Sequence, residues 1–147
     1  MVAGRRGTAH VATHVERKSR YMMAAKLLDK TSQVMATETI KLFHRIPKRY
    51  RKTLTLDNGK EFADFLRIKL KTGLDIYFSE PYAPWERGTN ENTNGLLRQY
   101  IPKGSDLRLL TDKQLALYVK KINNRPKKYL NYLTPHEVFY GELSGAI

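Results

Sequence analysis

The sequence predicts an α/β domain in which a mixed central sheet is flanked by helices. Strand-like segments alternate with segments of helical periodicity over most of the 147 residues. One strand-like segment ends in a carboxylate, Asp57, and a second carboxylate, Glu91, lies in a helical segment after 33 intervening residues. A strand-end Asp and a helix-borne Glu that are joined by a helix and a strand can converge on one divalent metal site.

The composition limits the class of protein. A chain of this length forms one domain with a real core, and 41% apolar residues argue against disorder. The absence of cysteine excludes disulfides and thiolate zinc sites and fits a reducing cytoplasm. No apolar run reaches the length of a membrane span, and residues 1–8 contain no signal-peptide core.

The charge points to a polyanionic partner. Lys and Arg number 27 against 14 Asp and Glu, which gives a formal net charge of +13. Nucleic acid is the simplest such partner. Charge alone does not distinguish a DNA-binding protein from a ribosomal or other generally basic protein, or from an RNA-binding domain.

The first part of the chain predicts an antiparallel hairpin. Thr8–Val15 alternates as a strand does, 16–20 form a charged turn, and Tyr21–Leu28 reads as a second, buried strand. His10 and His14 have a spacing that suggests metal ligands, but on a strand they lie about 13 Å apart. An ordinary strand role is therefore favoured for both.

A helix follows, with a basic segment behind it. Thr31–Ile46 carries a broad apolar stripe at helical spacing, and Pro47 stops it. The basic residues near this point act either as a solvated linker or as phosphate contacts; they are Arg45, Lys48, Arg49, Arg51 and Lys52.

The middle of the chain carries the strand-end carboxylate. Thr53–Leu56 predicts a short strand, and Asp57-Asn-Gly alone would be typical of a hairpin turn. Apolar residues recur at helical spacing directly afterwards, at Phe62, Phe65, Leu66 and Leu70. The pattern therefore indicates a strand-to-helix corner, where α/β proteins place their chemistry. Gly73 ends this helix, and the next strand is Leu74–Phe78.

The loop and helix that follow contain the second carboxylate. In the loop 79–88, Tyr82 and Trp85 either pack against the core or stack on bases. In the helix, one side is apolar and another repeats polar residues at spacings of three and four: Glu91, Asn94, Gly95 and Arg98. The asparagines of this segment, Asn94 among them, either cap the helix or contact phosphate.

Two N-terminal capping boxes predict the last helices. Pro102–Gly104 ends the preceding helix. Thr111–Gln114 then opens an amphipathic helix that ends near 123–126. Thr134–Glu137 opens a short final helix, with Pro135 at its first position.

Several of these motifs together resemble a known family. Asp57-Asn-Gly-x-Glu-Phe is followed by Pro-Tyr-x-Pro-Trp-Glu-Arg-Gly-Thr-Asn-Glu91-Asn-x-Asn-Gly-Leu-Leu-Arg98. Val15-Glu-Arg-Lys-Ser-Arg-Tyr21 and Asn123-Asn-Arg-Pro126 match as well. In order and spacing these resemble the second half of a DDE transposase core, most closely that of bacterial insertion-sequence transposases of the IS30 type.

The resemblance implies a ribonuclease H-like integrase catalytic core that nicks DNA and transfers strands. It implies Asp57 and Glu91 as catalytic, metal-binding acids for Mg²⁺ or Mn²⁺, and DNA contacts from Trp85, Arg87, Asn94 and Arg98. The implied partners are insertion-sequence ends, target DNA, and a second copy or a full-length transposase. No membrane is implied, and the expected location is the bacterial cytoplasm at the nucleoid.

One departure from the family pattern affects activity. The family places a first Asp on the first strand, but no Asp precedes Asp29 here, and Glu16 and Asp29 lie in the wrong segments. We therefore expect residues 1–147 to be one core domain whose first strand is partly or wholly missing and which lacks the helix-turn-helix region. A non-catalytic DNA-binding fragment of a decayed transposase is the alternative function.

Overall fold

The described residues form two small sheets and five α-helices. A computed structural model describes the backbone of residues 2–3, 9–79 and 88–143 and the side chains of 9–79, 92 and 94–141. The strands are β1 (Val2–Ala3), β2 (His10–Val15), β3 (Met22–Leu27), β4 (Thr53–Leu56) and β5 (Asp75–Phe78). The α-helices are α1 (Ser32–Phe43), α2 (Phe65–Thr72), α3 (Gly88–Leu97), α4 (Asp112–Asn123) and α5 (Pro135–Leu143).

The predicted hairpin is confirmed. β2 and β3 are antiparallel over their whole length, from His10 opposite Leu27 to Val15 opposite Met22. β1 adds a short third strand to the other edge of β2, where Val2 lies opposite Val11 and Ala3 opposite His10.

The turn of this hairpin is built around an acidic side chain. The Glu16 carboxylate accepts hydrogen bonds from the backbone N–H groups of Lys18 and Ser19, at 3.0 and 2.6 Å, and from the Ser19 hydroxyl. Arg20 adopts the left-handed conformation at φ 63°, and its N–H closes the turn on the Glu16 carbonyl. Glu16 is thus engaged in holding the turn.

The predicted strand-to-helix corner after Asp57 is also confirmed. β4 and β5 pair in parallel, from Thr53 opposite Asp75 to Leu56 opposite Phe78. A parallel pair needs a crossover connection, and α2 lies within it. A hairpin at Asp57 is thereby excluded. Gly73 ends α2 in the left-handed conformation at φ 77°.

Two of the apolar residues whose spacing predicted α2 are exposed. Leu66 and Leu70 are 60% and 85% exposed. The α-helix begins at Phe65, after a separate 3₁₀ turn at Lys60–Phe62, so the inward positions are Phe65, Ile68 and Thr72. Leu66 and Leu70 lie on a different side of the helix and face outward.

Helices cover both faces of the β1–β3 sheet. On one face, Val11 and Met22 pack with Leu97 of α3 and with Leu115 and Ile122 of α4. On the other face, the strand residues Ala12, Met23 and Leu27 pack in cores shared with α1 and the β4–α2 unit. Met35 and Phe43 are the α1 residues of these cores. Residues one apart on a strand therefore belong to different cores.

The last two helices begin as predicted. At α4, the Thr111 hydroxyl accepts from the Gln114 N–H and the Gln114 side chain accepts from the Thr111 N–H, both at 3.0 Å. At α5, the Thr134 hydroxyl accepts from the Glu137 N–H. No helix within the described ranges is long and apolar enough to cross a membrane.

Candidate active site

Asp57 lies at the carboxyl end of the parallel β4–β5 pair. Two hydrogen bonds hold this edge together: the Ser79 N–H donates to the Leu56 carbonyl at 2.8 Å, and the Asn58 amide donates to the Ser79 carbonyl at 2.7 Å. Asp57 itself is half-buried. Its position is fixed by the strand before it and by Asn58 after it, as expected for a site residue at a strand end.

The helix that carries Glu91 is attached to β2. The Thr13 hydroxyl donates to the Asn94 side-chain oxygen at 2.7 Å, and Leu97 is fully buried against the sheet. Glu91 lies in α3 one helical turn before Asn94; its side chain is outside the described residues. The contact therefore brings the Glu91-bearing segment of the chain to β2.

Asp57 and Thr13 line the same groove. The groove has a volume of about 330 Å³ and lies between β2 and β4. Leu54 and Leu56 are buried, whereas Thr53 and Thr55 are exposed, so strand alternation places Asp57 on the face opposite that of Leu56. Thr13 lies on the face of β2 that contacts α3.

Of the other predicted site residues, two can be located. Asn94 is half-buried at the Thr13 contact, and Arg98 is half-buried one turn further along, where its N–H bonds the Asn94 carbonyl. Trp85 and Arg87 lie outside the described residues. Among the described side chains, no three His, Asp or Glu residues are grouped so that they could hold a metal ion.

A histidine lines the groove as well. The His14 ring shares a 3.2 Å hydrogen bond with the Thr39 hydroxyl and meets the Phe43 ring edge-on, with centroids 5.5 Å apart. Burial lowers the pKa of His14 to about 4, because the charged imidazolium would be poorly solvated there. The imidazole is therefore neutral at neutral pH and packs as a strand residue.

The structure also gives structural roles to two polar residues, Arg51 and Asn123. Arg51 donates to the backbone carbonyls of Ile46 and Thr72, which joins the segment after α1 to the last residue of α2. Asn123 is buried and bonds both the N–H and the carbonyl of Met22, at 2.9 Å each. An Asn on the inward side of an amphipathic helix is the signal that points to such a role.

The comparisons with known proteins identify relatives by sequence. The chain is 44% identical over 138 residues to the transposase InsI of insertion sequence element IS30A of Escherichia coli K12. This match covers 94% of the chain and 36% of the relative. The transposase of element IS1086 of Cupriavidus metallidurans is 40% identical, with 94% of this chain and 41% of the relative covered. The chain thus spans well under half the length of these relatives.

A third relative matches a shorter part of the chain at higher sequence identity. The transposase of element IS4351 of Bacteroides fragilis is 58% identical over 87 residues, which is 59% of this chain and 27% of that protein. No family model matches the chain.

Solved structures identify the fold. The catalytic core domain of BIV integrase superposes with a TM-score of 0.70 at 19% identity. The match covers 95% of this chain and 90% of the integrase chain. A chain of the simian T-cell lymphotropic virus intasome, in complex with a PP2A regulatory subunit, gives a TM-score of 0.72 at 20% identity. That match covers 93% of this chain and 50% of the intasome chain. The chain thus has the fold of an integrase catalytic core, and over 94% of its length its sequence is similar to that of IS30-family insertion-sequence transposases.

Proposed function

We propose that this chain functions in DNA transposition, as the part of a DDE transposase core that supplies Asp57 and Glu91. The single observation that carries this proposal is that Thr13, which lines the same groove as Asp57, also bonds Asn94 of the helix that carries Glu91. The similarity to insertion-sequence transposases suggests the reaction, which would be metal-dependent nicking at insertion-sequence ends and transfer of the resulting strand to target DNA.

The residues at this site suit a hard divalent cation. Carboxylates are the ligands that Mg²⁺ and Mn²⁺ prefer, and the sequence contains no thiolate that would favour a softer metal. Asp57 and Glu91 would each hold metal, and neither residue forms a covalent intermediate. When bound, a pair of such ions activates the attacking oxygen and stabilises the leaving oxygen of the phosphodiester.

The remaining candidate residues would position DNA beside the acids. Arg98 follows Glu91 by two helical turns and would contact the phosphate backbone. Trp85 and Arg87 in the preceding loop would stack on bases or pair with phosphate. Asn94 would contribute indirectly, because its side-chain oxygen already accepts from Thr13. A reaction on DNA places the protein in the bacterial cytoplasm at the nucleoid.

A second candidate function is DNA binding without catalysis by residues 1–147. The observation in its favour is that the sequence offers two of the three family acids at matching positions. Such a chain would pair with a full-length transposase or with a second copy through the shared core.

A nicking assay separates the two functions. The chain is incubated in Mg²⁺ and in Mn²⁺ with duplex DNA carrying an IS30-type end, beside its Asp57→Asn and Glu91→Gln variants. The transposition proposal expects a longer chain, with an upstream strand that carries an Asp, to nick DNA, and the Asp57→Asn and Glu91→Gln variants of that chain to lose the activity while still binding DNA. We expect the 147-residue chain itself not to join ends to target DNA. Nicking by the longer chain that survives Asp57→Asn would refute the site.

A further inference from the structure

Four ring-bearing side chains are exposed near the C-terminal end of the described chain. Tyr129, Tyr132 and Tyr140 are 57%, 69% and 47% exposed, and His136 is exposed as well. We call these four residues the aromatic surface. None of the four lines the groove of Asp57. Exposed apolar residues that are scattered singly need no explanation, but a group of this size suggests a binding surface.

The hairpin turn between β2 and β3 connects the parts of this surface. The Arg20 guanidinium lies over the Tyr129 ring, 5.3 Å from its centroid. The next residue, Tyr21, meets the rings of His136 and Tyr140, with centroids 6.4 and 5.7 Å apart. Tyr140 in turn lies 4.6 Å from His136. Two neighbouring residues of the hairpin therefore hold Tyr129 and the exposed rings of α5 near each other.

Tyr132 is held in a backbone conformation that favours glycine. Its φ is 64°, and that of Asn131 is 53°. Asn tolerates this left-handed region, whereas a bulky aromatic residue there is strained. Two backbone hydrogen bonds close the loop: the Lys127 N–H donates to the Leu133 carbonyl at 3.0 Å, and the Tyr132 N–H donates to the Lys127 carbonyl at 2.9 Å. Because the Tyr132 ring is mostly exposed, packing does not explain an aromatic residue here, and strain of this kind is typical of binding sites.

The segment that carries the aromatic surface is basic. Residues 125–141 contain three cations, Arg125, Lys127 and Lys128, and one acid, Glu137. Burial and the charge of Arg125 lower the pKa of Lys127, and a nearby anion would offset both effects. In the described part of the chain, neither Lys127 nor Lys128 forms an ion pair with a carboxylate. A second copy of a chain with a net charge of +13 would be repelled, whereas nucleic acid would be attracted.

We propose that the aromatic surface binds single-stranded nucleic acid, with unpaired bases stacked on its tyrosines and phosphates beside Lys127 and Lys128. Exposed rings among cations suit an unpaired strand, because every base has a face that can stack. Arg20 lies over one face of Tyr129 while more than half of the side chain stays exposed, so a base can extend this stack. The inference goes beyond the proposed function, since it requires neither the metal site nor transposition.

Tyr129→Leu and Tyr77→Leu are a matched pair of variants that tests the proposal. Both tyrosines are 57% exposed, but Tyr77 lies on β5, outside the aromatic surface. Fluorescence anisotropy without divalent metal measures affinity for a labelled oligothymidylate of about 12 nucleotides and for a duplex of the same length. We expect Tyr129→Leu to weaken oligothymidylate binding about fivefold or more and duplex binding much less. Tyr77→Leu should change neither affinity.

Tyr132→Gly separates a role in binding from a role in folding. Glycine relieves the strain at a φ of 64°, so Tm should not fall. The affinity for oligothymidylate should nevertheless fall about fivefold or more, because a stacking ring is lost. A lower Tm with unchanged affinity would assign the Tyr132 ring to packing and would count against the proposal.

Three further results would overturn the proposal. The first is a parent chain that does not bind oligothymidylate, or a Tyr129→Leu variant that loses single-strand and duplex affinity equally. The second is a parent dimer that Tyr129→Leu dissociates, because a second copy would then occupy the surface. The third is loss of oligothymidylate binding in Asp57→Asn, which would place the strand in the groove. Oligouridylate should bind with similar affinity, since stacking does not require the 2′-hydroxyl, and binding of RNA alone would contradict stacking.

Discussion

The Thr13 hydroxyl donates a 2.7 Å hydrogen bond to the Asn94 side-chain oxygen, across 81 positions of the sequence. Thr13 is 8% exposed, and it also lines the groove that Asp57 lines. Asn94 lies one turn after Glu91 on α3. One side-chain contact therefore ties the helix that carries one acid to the strand beside the other acid.

Removal of this contact should destabilise the fold modestly. Thr13→Val keeps the shape of the side chain but leaves the Asn94 oxygen without its donor, at a cost of about 1–3 kcal/mol. The free energy of unfolding in urea measures the loss. Thr55→Val is the matched control, because Thr55 occupies an exposed position on β4, and it should change stability by less than about 0.5 kcal/mol.

A double-mutant cycle shows whether the cost belongs to the pair. Thr13→Val and Asn94→Ala are measured singly and together, and a coupling energy of about 0.5–1.5 kcal/mol is expected. Additive losses would mean that the two side chains act independently, and α3 would then be held to the sheet by the apolar contacts of Leu97 alone.

Local sequence patterns predicted the elements of this fold well, because each element carries its own signals. Alternation predicted β2 and β3, the Thr111 and Thr134 capping boxes located two helix starts, and Gly73 marked a helix end. The α/β class and the integrase-core fold are confirmed by the comparison with BIV integrase.

Contacts between distant elements were not predictable from these signals. Leu66 and Leu70 are exposed although they share helical spacing with Phe62 and Phe65, because tertiary packing decides which side of α2 faces inward. The Thr13–Asn94 and Asn123–Met22 bonds join residues 81 and 101 positions apart, and no local pattern encodes such partners. The roles of Asp57 and Glu91 remain predictions from the family motifs.

Stability should fall as the pH decreases from about 6.5 to about 4. Burial lowers the pKa of native His14 to about 4, whereas the unfolded histidine titrates near 6.5. Between these values the unfolded chain binds more protons, so acid favours unfolding. The full effect is up to about 3 kcal/mol.

The unfolding free energies of His14→Gln and the parent chain, measured at pH 7 and at pH 4.5, check this expectation. The variant should lose clearly less stability on acidification. Burial and the charge of Lys30 also lower the pKa of His10, so His10→Gln is the comparison that separates the two histidines. Equal acid sensitivity of His14→Gln and the parent would contradict the assignment.

DNA binding should be strongly salt-dependent and largely independent of sequence. The net charge of +13 motivates this expectation, since each phosphate contact adds about 0.9 to the slope of log affinity against log salt. Fluorescence anisotropy of a labelled duplex between 50 and 200 mM salt, a range suited to such slopes, measures it. Affinity that does not change across this range, or tight preference for one insertion-sequence end, would count against the prediction.

Arg87 and Trp85 should affect DNA binding in different ways. If Arg87 contacts phosphate, Arg87→Ala lowers the salt slope by about one unit. If Trp85 stacks on a base, Trp85→Ala weakens binding by about 1–3 kcal/mol and leaves the slope unchanged. A Trp85→Ala variant with a lower Tm and unchanged affinity would instead assign the indole to packing of the loop.

The carboxylates of Asp57 and Glu91 should lie close enough to share one cation. Ligand distances of about 2.0–2.6 Å mean that carboxyl groups more than about 10 Å apart could not do so. The chain has no cysteine, so a pair of introduced cysteines can be cross-linked without background. Asp57→Cys combined with Glu91→Cys should react intramolecularly with a short bifunctional thiol reagent, which is detected as a mass shift in the monomer.

The matched control combines Asp57→Cys with Asn92→Cys. Asn92 is exposed and lies on a different side of α3, because adjacent helix positions differ by about 100°. We expect efficient cross-linking for the pair at 57 and 91 and little for the pair at 57 and 92. Equal cross-linking yields for both pairs would mean that α3 moves and does not hold position 91 close to position 57. Failure of the 57–91 pair in a variant that keeps its Tm would place the two acids too far apart to hold a shared cation.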